Sequence, residues 1–247
     1  MPRSKITVEY DGTNLLGWQR QLDGPSVQEH LENALLAFTG HHSEICAAGR
    51  TDAGVHALGQ VAHFDTYKTW DLYRLKEAFN AHLRTENAPV VVISAEETTP
   101  DFHARFSAVG RGYIYRILNR PSPSIILQNR VWWVPYSLNI EAMRQGAKHL
   151  LGHHDFSSFR ASACQAKSPL KTLDKLDIER QNDEIIFTVE ARSFLHHQVR
   201  NMVGTLKMLG NGYLKPQDII TILEKKDRKA AGVTAPACGL YLNKVMY

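Results

Sequence analysis

The residues that could carry chemistry lie in the polar segment Ala48–Ala57, which holds Arg50 and Asp52 between two glycines. Short apolar segments around Ile45 and Val61 flank it, so the pattern predicts a loop between two strands. Glycines let a backbone turn sharply or approach a ligand closely. A carboxylate on such a loop could act as a nucleophile or as a base. The alternative is a connecting turn, in which Asp52 only accepts hydrogen bonds from backbone N–H groups.

Other catalytic chemistries lack their usual sequence signatures. The 12 histidines include adjacent pairs, but neighbours on a helix point about 100° apart and make poor joint ligands. No His-Glu-x-x-His or clustered-cysteine pattern is present, and no phosphate-binding loop follows a strand. Cys164 lacks the local signature of a cysteine nucleophile. We therefore expect no metal site and no cofactor.

A catalytic aspartate needs a partner that keeps it ionised. A close arginine lowers the pKa of a carboxyl group, whereas burial raises it. The apolar spacing predicts a helix from Phe194 to Leu209 that places His196, Arg200 and Lys207 on one polar face. Arg200 is therefore a candidate partner for Asp52.

The composition is that of an ordinary globular protein, with 43% hydrophobic and 22% charged residues in 247. This length suits one large domain or two smaller ones. No apolar run reaches the length of a membrane span, and no signal-peptide pattern opens the chain. We expect a cytoplasmic location and no membrane partner.

The positive charge is concentrated in the second half of the chain. Residues 124–247 contain 17 Lys and Arg against 11 Asp and Glu, whereas residues 1–123 contain 12 against 14. Two basic stretches, 102–140 and 156–173, contain no acidic residue at all. Such stretches suit a polyanionic partner because phosphate contacts release counterions. The alternative is a solvated basic face.

Helical and strand patterns are mixed along the chain, which predicts an α+β fold with a mainly antiparallel sheet and helices outside it. The best candidate for a linker is Pro121–Ser124, which would separate an N-terminal lobe, residues 1–120, from a C-terminal lobe, residues 121–247. The predicted helices cover residues 27–39 (opened by a capping box at Ser26), 72–83, 140–151 and 194–209, with a last one after Pro216. The predicted strands cover residues 5–10, 90–95, 113–118, 131–134, 173–178, 185–191 and 240–245, besides those at Ile45 and Val61. The strand at residues 90–95 is expected to be buried, and a turn at residues 181–183 is expected to join the strands 173–178 and 185–191 into a hairpin.

The ordered motifs resemble the tRNA pseudouridine synthase A (TruA-type) family over essentially the whole chain. The run Gly49–Ala57 is the most specific of them. The other matching stretches are Tyr10–Gly12, Gly17–Gln19, Val27–Gln28, Leu31–Glu32, Gly59–Phe64, Asp101–Ala108, Arg111, Tyr113, Tyr115, His154–Phe156, Phe194–Gly204, Gly239–Leu242, Val245 and Tyr247.

The resemblance implies an enzyme that converts uridine to pseudouridine at positions 38, 39 and 40 of tRNA, in the anticodon arm. The reaction breaks the C1′–N1 bond and joins C1′ to C5, without a cofactor or a metal. The resemblance also implies two similar α/β lobes that flank an active-site cleft, and a homodimer that binds tRNA across both subunits. The alternatives are a non-catalytic RNA-binding protein and a glycoside hydrolase, which would normally need a second carboxylate.

The resemblance assigns a role to five residues. Asp52 is expected to be the nucleophile, whether it attacks C1′ or acts by another route, and Arg200 its ion-pair partner. Tyr113 is expected to stack on the target base and is a candidate general base. Arg50 is expected to hold the flipped nucleotide, and Leu240 to form an apolar wall of the uracil pocket.

Overall fold

The structure, a computed structural model, describes all 247 residues and divides the chain into two compact units. Unit 1 comprises Met1–Val109 and Tyr241–Tyr247, and unit 2 comprises Gly110–Leu240. The predicted linker Pro121–Ser124 lies inside unit 2, in a bend after the first strand of that unit. None of the helices combines the length and the hydropathy that a membrane crossing requires.

The chain forms ten strands and five α-helices. The strands are β1 (Arg3–Tyr10), β2 (Cys46–Ala47), β3 (His56–Asp65), β4 (Val90–Thr98), β5 (Gly110–Asn119), β6 (Trp132–Val134), β7 (Gly152–Asp155), β8 (Leu170–Gln181), β9 (Glu184–Ala191) and β10 (Leu240–Met246). The helices are α1 (Val27–Thr39), α2 (Leu72–Thr85), α3 (Ile140–Lys148), α4 (Gln198–Gly210) and α5 (Asp218–Lys225). The predicted mixed α+β class is confirmed, and most strand pairs are antiparallel.

In unit 1, β1 lies between β3 and β4 and is antiparallel to both. The short strand β2 pairs antiparallel with β3, and β10 pairs with β3 in parallel through Tyr241 and His56. Helices α1 and α2 pack against each other, and α2 packs on β4. The Asp52 loop thus connects β2 with β3, two strands that are themselves paired.

The helix ends of unit 1 follow their local sequence signals. Ser26 Oγ accepts a hydrogen bond from the Glu29 N–H at 3.2 Å and caps α1, and Gly40 ends it with φ 74°. Asp71 caps α2 in the same way, through the Arg74 N–H at 2.8 Å. Both helices were predicted to within two residues, and the start of α1 was predicted from its capping box because a cap is decided by neighbouring residues.

The prediction of a buried strand at residues 90–95 is only half right. Val90 and Val92 are buried, but Val91 and Ile93 are 39% and 46% exposed. Alternate residues of a strand point to opposite faces. Helix α2 packs on one of these faces, so β4 reads as an apolar run although its other face is partly exposed.

In unit 2, the strands β5, β9, β8 and β7 lie side by side in that order and are antiparallel, and β6 pairs with β5 in parallel. The predicted hairpin is confirmed: β8 and β9 are joined at Asn182, whose φ is 54°. Helix α3 packs on α4 and β8. It ends at Lys148, earlier than predicted, and β7 follows as an unpredicted strand.

The predicted start of α4 at Phe194 is wrong. The helix begins at Gln198, after His197 adopts a left-handed backbone with φ 61°. The Gln198 side-chain oxygen accepts the Leu195 N–H at 2.8 Å and fixes the preceding turn. His196 is therefore not on the helix, and Arg200 is half-buried instead of lying on an open polar face.

Candidate active site

The segment that carries Asp52 is hydrogen-bonded to β3 where it leaves β2, and it turns tightly before β3 begins. The Ala48 N–H donates to Val61 O at 2.7 Å where the loop leaves β2. The Val55 N–H donates to Asp52 O at 3.1 Å and closes a turn around Ala53 and Gly54. Asp52 is half-buried and Arg50 is exposed. The two predicted residues of unit 1 therefore lie two positions apart on one tightly turned loop.

Thr51, directly before Asp52, is anchored through both its backbone and its side chain. Its carbonyl oxygen accepts the Trp18 N–H at 3.1 Å, and its hydroxyl group lies 2.8 Å from the Tyr10 hydroxyl. Gly17 has φ 96°, and a Cβ at that position would overlap the Thr51 carbonyl oxygen. Only glycine lets the N-terminal segment approach the loop this closely.

Two buried residues of β3, Gln60 and His56, also fix the loop and its surroundings. Gln60 Nε2 donates to the Gly49 carbonyl at 2.7 Å, while its side-chain oxygen makes no hydrogen bond. His56 Nδ1 lies 3.0 Å from the Gly12 N–H and 3.2 Å from Asp11 Oδ1. A neutral ring accepts the first hydrogen bond at that nitrogen, whereas only a protonated nitrogen donates to the carboxylate. The Tyr241 ring stacks on His56 with a centroid distance of 4.7 Å.

Sequence reasoning found the motifs that contain these anchors but gave the anchors no role. Tyr10, Gly17 and Gln60 all belong to stretches that match the family. A pairing of the N-terminal segment with this loop would have explained why those stretches occur together.

In unit 2, Tyr113 lies on β5 and is half-buried. Its ring meets the Phe194 ring edge to face, with a centroid distance of 5.1 Å and an interplanar angle of 88°. Two residues along the strand, Tyr115 is fully buried, and its hydroxyl donates to Pro236 O at 2.8 Å. Burial raises the pKa of Tyr115 well above its usual value. That phenol is a structural donor, and it points to the segment that precedes Leu240.

Arg200 lies in the first turn of α4 and is tied to the same segment. Its Nε donates to Ala235 O at 2.8 Å, and the Ala235 N–H donates back to Arg200 O at 3.1 Å. Leu240 follows this segment as the first residue of β10 and is 6% exposed. The structure thus connects the surroundings of Tyr113, Arg200 and Leu240 within unit 2.

One further cluster has the composition of a metal site. Ligand atoms of Cys46, His63 and His103 lie within 4.8 Å of one another. However, His63 Nδ1 accepts the Ala104 N–H at 3.2 Å, and His103 Nδ1 accepts the Arg105 N–H at 3.1 Å. A neutral imidazole that binds a metal through Nε2 needs its proton on Nδ1, where it would face these donors. The hydrogen bonds therefore do not favour a metal here.

Burial gives the same cluster a neutral character. It lowers the pKa of His63, with a smaller contribution from neighbouring His103. It also raises the pKa of the Cys46 thiol, which the nearby Glu44 raises further. Cys46 and His63 face each other across the paired strands β2 and β3, so the role of the cluster in this structure is to support the base of the Asp52 loop.

Comparison with known proteins covers the whole chain. A family model described as tRNA pseudouridine synthase matches residues 6–107 and 147–247. A protein named tRNA pseudouridine synthase A from Paramagnetospirillum magneticum is 57% identical over 247 residues, which cover 100% of this chain and 96% of that protein. The chain belongs to the tRNA pseudouridine synthase A family. A member from Sinorhizobium fredii is 50% identical over 247 residues and is covered completely.

The family model covers some of the candidate residues of this tRNA pseudouridine synthase A family member and not others. The family model includes the Asp52 loop, α4 and Leu240, but not residues 108–146, which contain Tyr113. The full-length relatives span that segment too. Among solved structures, a chain of a Cbf5–Nop10–Gar1 complex aligns with 83% of this chain and 45% of its own length, at 12% identity and a TM-score of 0.38. That likeness is too weak to support an argument.

Proposed function

We propose that the protein isomerises uridine to pseudouridine at positions 38, 39 and 40 of the anticodon arm of tRNA. Its family makes it a tRNA pseudouridine synthase, an isomerase. The observation that carries the proposal is the anchored loop: Tyr10, Gly17 and Trp18 hold Thr51 in place and so fix the backbone that presents Asp52.

The proposed reaction is balanced within the substrate. The C1′–N1 bond breaks, a C1′–C5 bond forms, the proton leaves C5, and N1 gains a proton. Asp52 is proposed as the nucleophile and Arg200 as its ion-pair partner. A glycosidic carbon inside folded RNA becomes accessible only when its nucleotide leaves the stack.

The other roles follow from what a flipped uridine needs. A half-buried aromatic ring such as that of Tyr113 offers a surface for base stacking, and the same residue is the proposed general base. Leu240 is proposed as an apolar wall for the base, and exposed Arg50 as a contact for the nucleotide backbone. We also propose that the enzyme acts as a homodimer in the cytoplasm, where its tRNA substrate is found. Analytical ultracentrifugation with and without tRNA tests the dimer.

The decisive experiment follows the C5 proton. Unmodified tRNA labelled with tritium at C5 of uridine is incubated with the wild type, Asp52→Asn, Asp52→Ala and the control Asp23→Asn, an exposed loop carboxylate. We expect tritium release and pseudouridine in the anticodon arm from the wild type and the control, and neither from the two Asp52 variants. Equal release by all four proteins would contradict the role of Asp52.

The same samples separate the alternatives. A glycoside hydrolase would release free uracil without forming pseudouridine. A non-catalytic RNA-binding protein would bind the tRNA and leave the tritium in place. Either result with the wild type would overturn the proposed function.

A further inference from the structure

The segment between α5 and β10 is bound along α4. We call residues 228–239 the strap. The Gly232 N–H donates to the buried Thr205 hydroxyl at 2.9 Å. At Gly204, a Cβ would overlap the Val233 carbonyl oxygen, so the strap lies directly on the helix backbone there. The strap is thereby fixed at the level of Gly204 and Thr205, one turn beyond Arg200.

The strap also determines how Arg200 is oriented. Arg200 Nε and the Ala235 carbonyl are 2.8 Å apart, and the reverse contact, from the Ala235 N–H to Arg200 O, is 3.1 Å. With Nε committed to the strap, a carboxylate partner would be bound end-on, through the terminal nitrogens Nη1 and Nη2. The direction in which the guanidinium group points therefore depends on where the Ala235 carbonyl lies.

Three polar side chains hold the strap just before Ala235. Thr234 Oγ1 donates to Asn201 Oδ1 at 2.7 Å, and Arg228 Nη2 lies 2.9 Å from Thr234 Oγ1 and 3.0 Å from Asn201 Oδ1. Asn201 is fully buried, and its Nδ2 donates to Phe159 O at 2.8 Å. That contact fixes the amide so that its oxygen faces the strap. Asn201 follows Arg200 directly, so the network joins both sides of the Arg200–Ala235 contact.

We propose that Thr234 and Arg228 are positioning residues for Arg200: they hold the Ala235 carbonyl at the place where it orients the guanidinium group. Neither residue touches the substrate in this scheme. The proposal rests on the proposed role of Arg200 as the partner of Asp52. It differs from a purely structural role, because loss of the network should change the rate of the chemical step and leave tRNA binding largely intact.

A matched pair of variants tests the network. Thr234→Val keeps the shape of the side chain but removes its hydroxyl group, whereas Thr234→Ser keeps the hydroxyl group and removes the methyl group. With unmodified tRNA, we expect Thr234→Val to lower the single-turnover rate about tenfold and to change the steady-state KM less than about twofold. Thr234→Ser should restore the wild-type rate, and Arg228→Ala should resemble Thr234→Val. Thermal unfolding measured in parallel shows whether each variant is folded under the assay conditions.

The link through Arg200 is tested in a second background. Arg200→Lys keeps the positive charge but replaces the planar guanidinium group, so it loses the Nε–H that donates to Ala235 O and fixes the direction of the terminal nitrogens. If the network acts through this contact, adding Thr234→Val to Arg200→Lys should leave the remaining rate unchanged to within about twofold. A further tenfold loss would show that Thr234 acts by another route and would overturn the proposal.

The outcomes also separate this proposal from the proposed function. A wild type that forms no pseudouridine contradicts the function. An active wild type with an inactive Arg200→Ala variant and a fully active Thr234→Val variant contradicts only the positioning role. A folded Thr234→Val variant with an unchanged rate but a raised KM would also contradict it.

Discussion

The loop that carries Asp52 and the side chain of Arg200 are held by different kinds of contact. In the Asp52 loop, the anchoring contacts reach the backbone and the neighbouring residue: Trp18 binds the Thr51 carbonyl, and Gln60 binds the Gly49 carbonyl. In unit 2, the contact with the strap is made by the Arg200 side chain itself.

The difference follows from the number of hydrogen-bonding groups that each side chain has. A carboxylate has two oxygens and needs them for chemistry, so its loop is best fixed through the backbone. A guanidinium group has five N–H donors, so Nε can support the side chain while the terminal nitrogens bind other groups. Both arrangements depend on a glycine that lets the backbone come close, Gly17 in unit 1 and Gly204 in unit 2.

The largest effect is expected from closing the space at Gly17. Gly17→Ala combines a strained positive φ with an overlap between its Cβ and the Thr51 carbonyl oxygen. We expect a loss of about 3 kcal/mol in the free energy of unfolding and a severe loss of activity.

Gly40→Ala is the control, since Gly40 also has a positive φ but no atom within 4 Å of its Cβ position. It should cost about 1 kcal/mol and leave activity intact, as measured by urea unfolding and tritium release. Equal costs at both positions would refute the close approach.

A smaller effect is expected from Tyr10→Phe, which leaves the buried Thr51 hydroxyl without this partner. We expect a loss of about 1–2 kcal/mol in the free energy of unfolding and a lower kcat with little change in KM. Tyr115→Phe is the counterpart in unit 2, because it removes the hydrogen bond to Pro236 O. If the strap controls Arg200, this variant too should lower kcat. If kcat falls only in Tyr10→Phe, the two regions do not share this dependence on a tyrosine hydroxyl.

Acid should lower the free energy of unfolding through His63, at the base of the Asp52 loop. His63 pairs with Cys46 across β2 and β3, and burial holds its pKa below the ordinary value of 6.5. Below pH 6.5 the unfolded chain therefore binds a proton that the folded chain does not, and the free energy of unfolding falls as the pH drops toward the folded pKa. The variant His63→Asn, which keeps an acceptor for the Ala104 N–H, should show a flatter profile between about pH 5 and 7. An unchanged profile would exclude His63 as the cause.

Local signals predicted the elements well, and contacts between distant segments account for the errors. The capped helix α1 and the hairpin at Asn182 were predicted because a few adjacent residues decide them. The start of α4 was missed because the Gln198 side chain, not the apolar period, ends the preceding turn. Strand β7 was missed because its pairing with β8 leaves its residues largely exposed and without an apolar pattern.

For the candidate site, the sequence indicated the residue types but not their support. Arg50 and Asp52 were recognisable because they share a loop, and Arg200 because its motif matches the family. The contact of Arg200 with Ala235 could not be predicted from the sequence, since any residue can supply a backbone carbonyl. Whether Asp52, Tyr113 and Arg200 act together stays a prediction that the kinetic experiments test.

The smallest effect concerns the acid-free stretches, which the fold divides into paired and unpaired cations. Arg116 lies in the first stretch but forms two hydrogen bonds of 2.8 Å with the Glu184 carboxylate. Lys167, in the second stretch, is exposed. We expect Lys167→Ala to weaken tRNA binding about twofold and to reduce the salt dependence of log Kd by about one phosphate contact. Arg116→Ala should lower the free energy of unfolding and leave the salt dependence of tRNA binding nearly unchanged, because Glu184 already neutralises the charge of Arg116. Filter binding between about 50 and 200 mM salt distinguishes the two variants. If Arg116→Ala lost more tRNA affinity than Lys167→Ala, the ion pair with Glu184 would not keep Arg116 from binding phosphate.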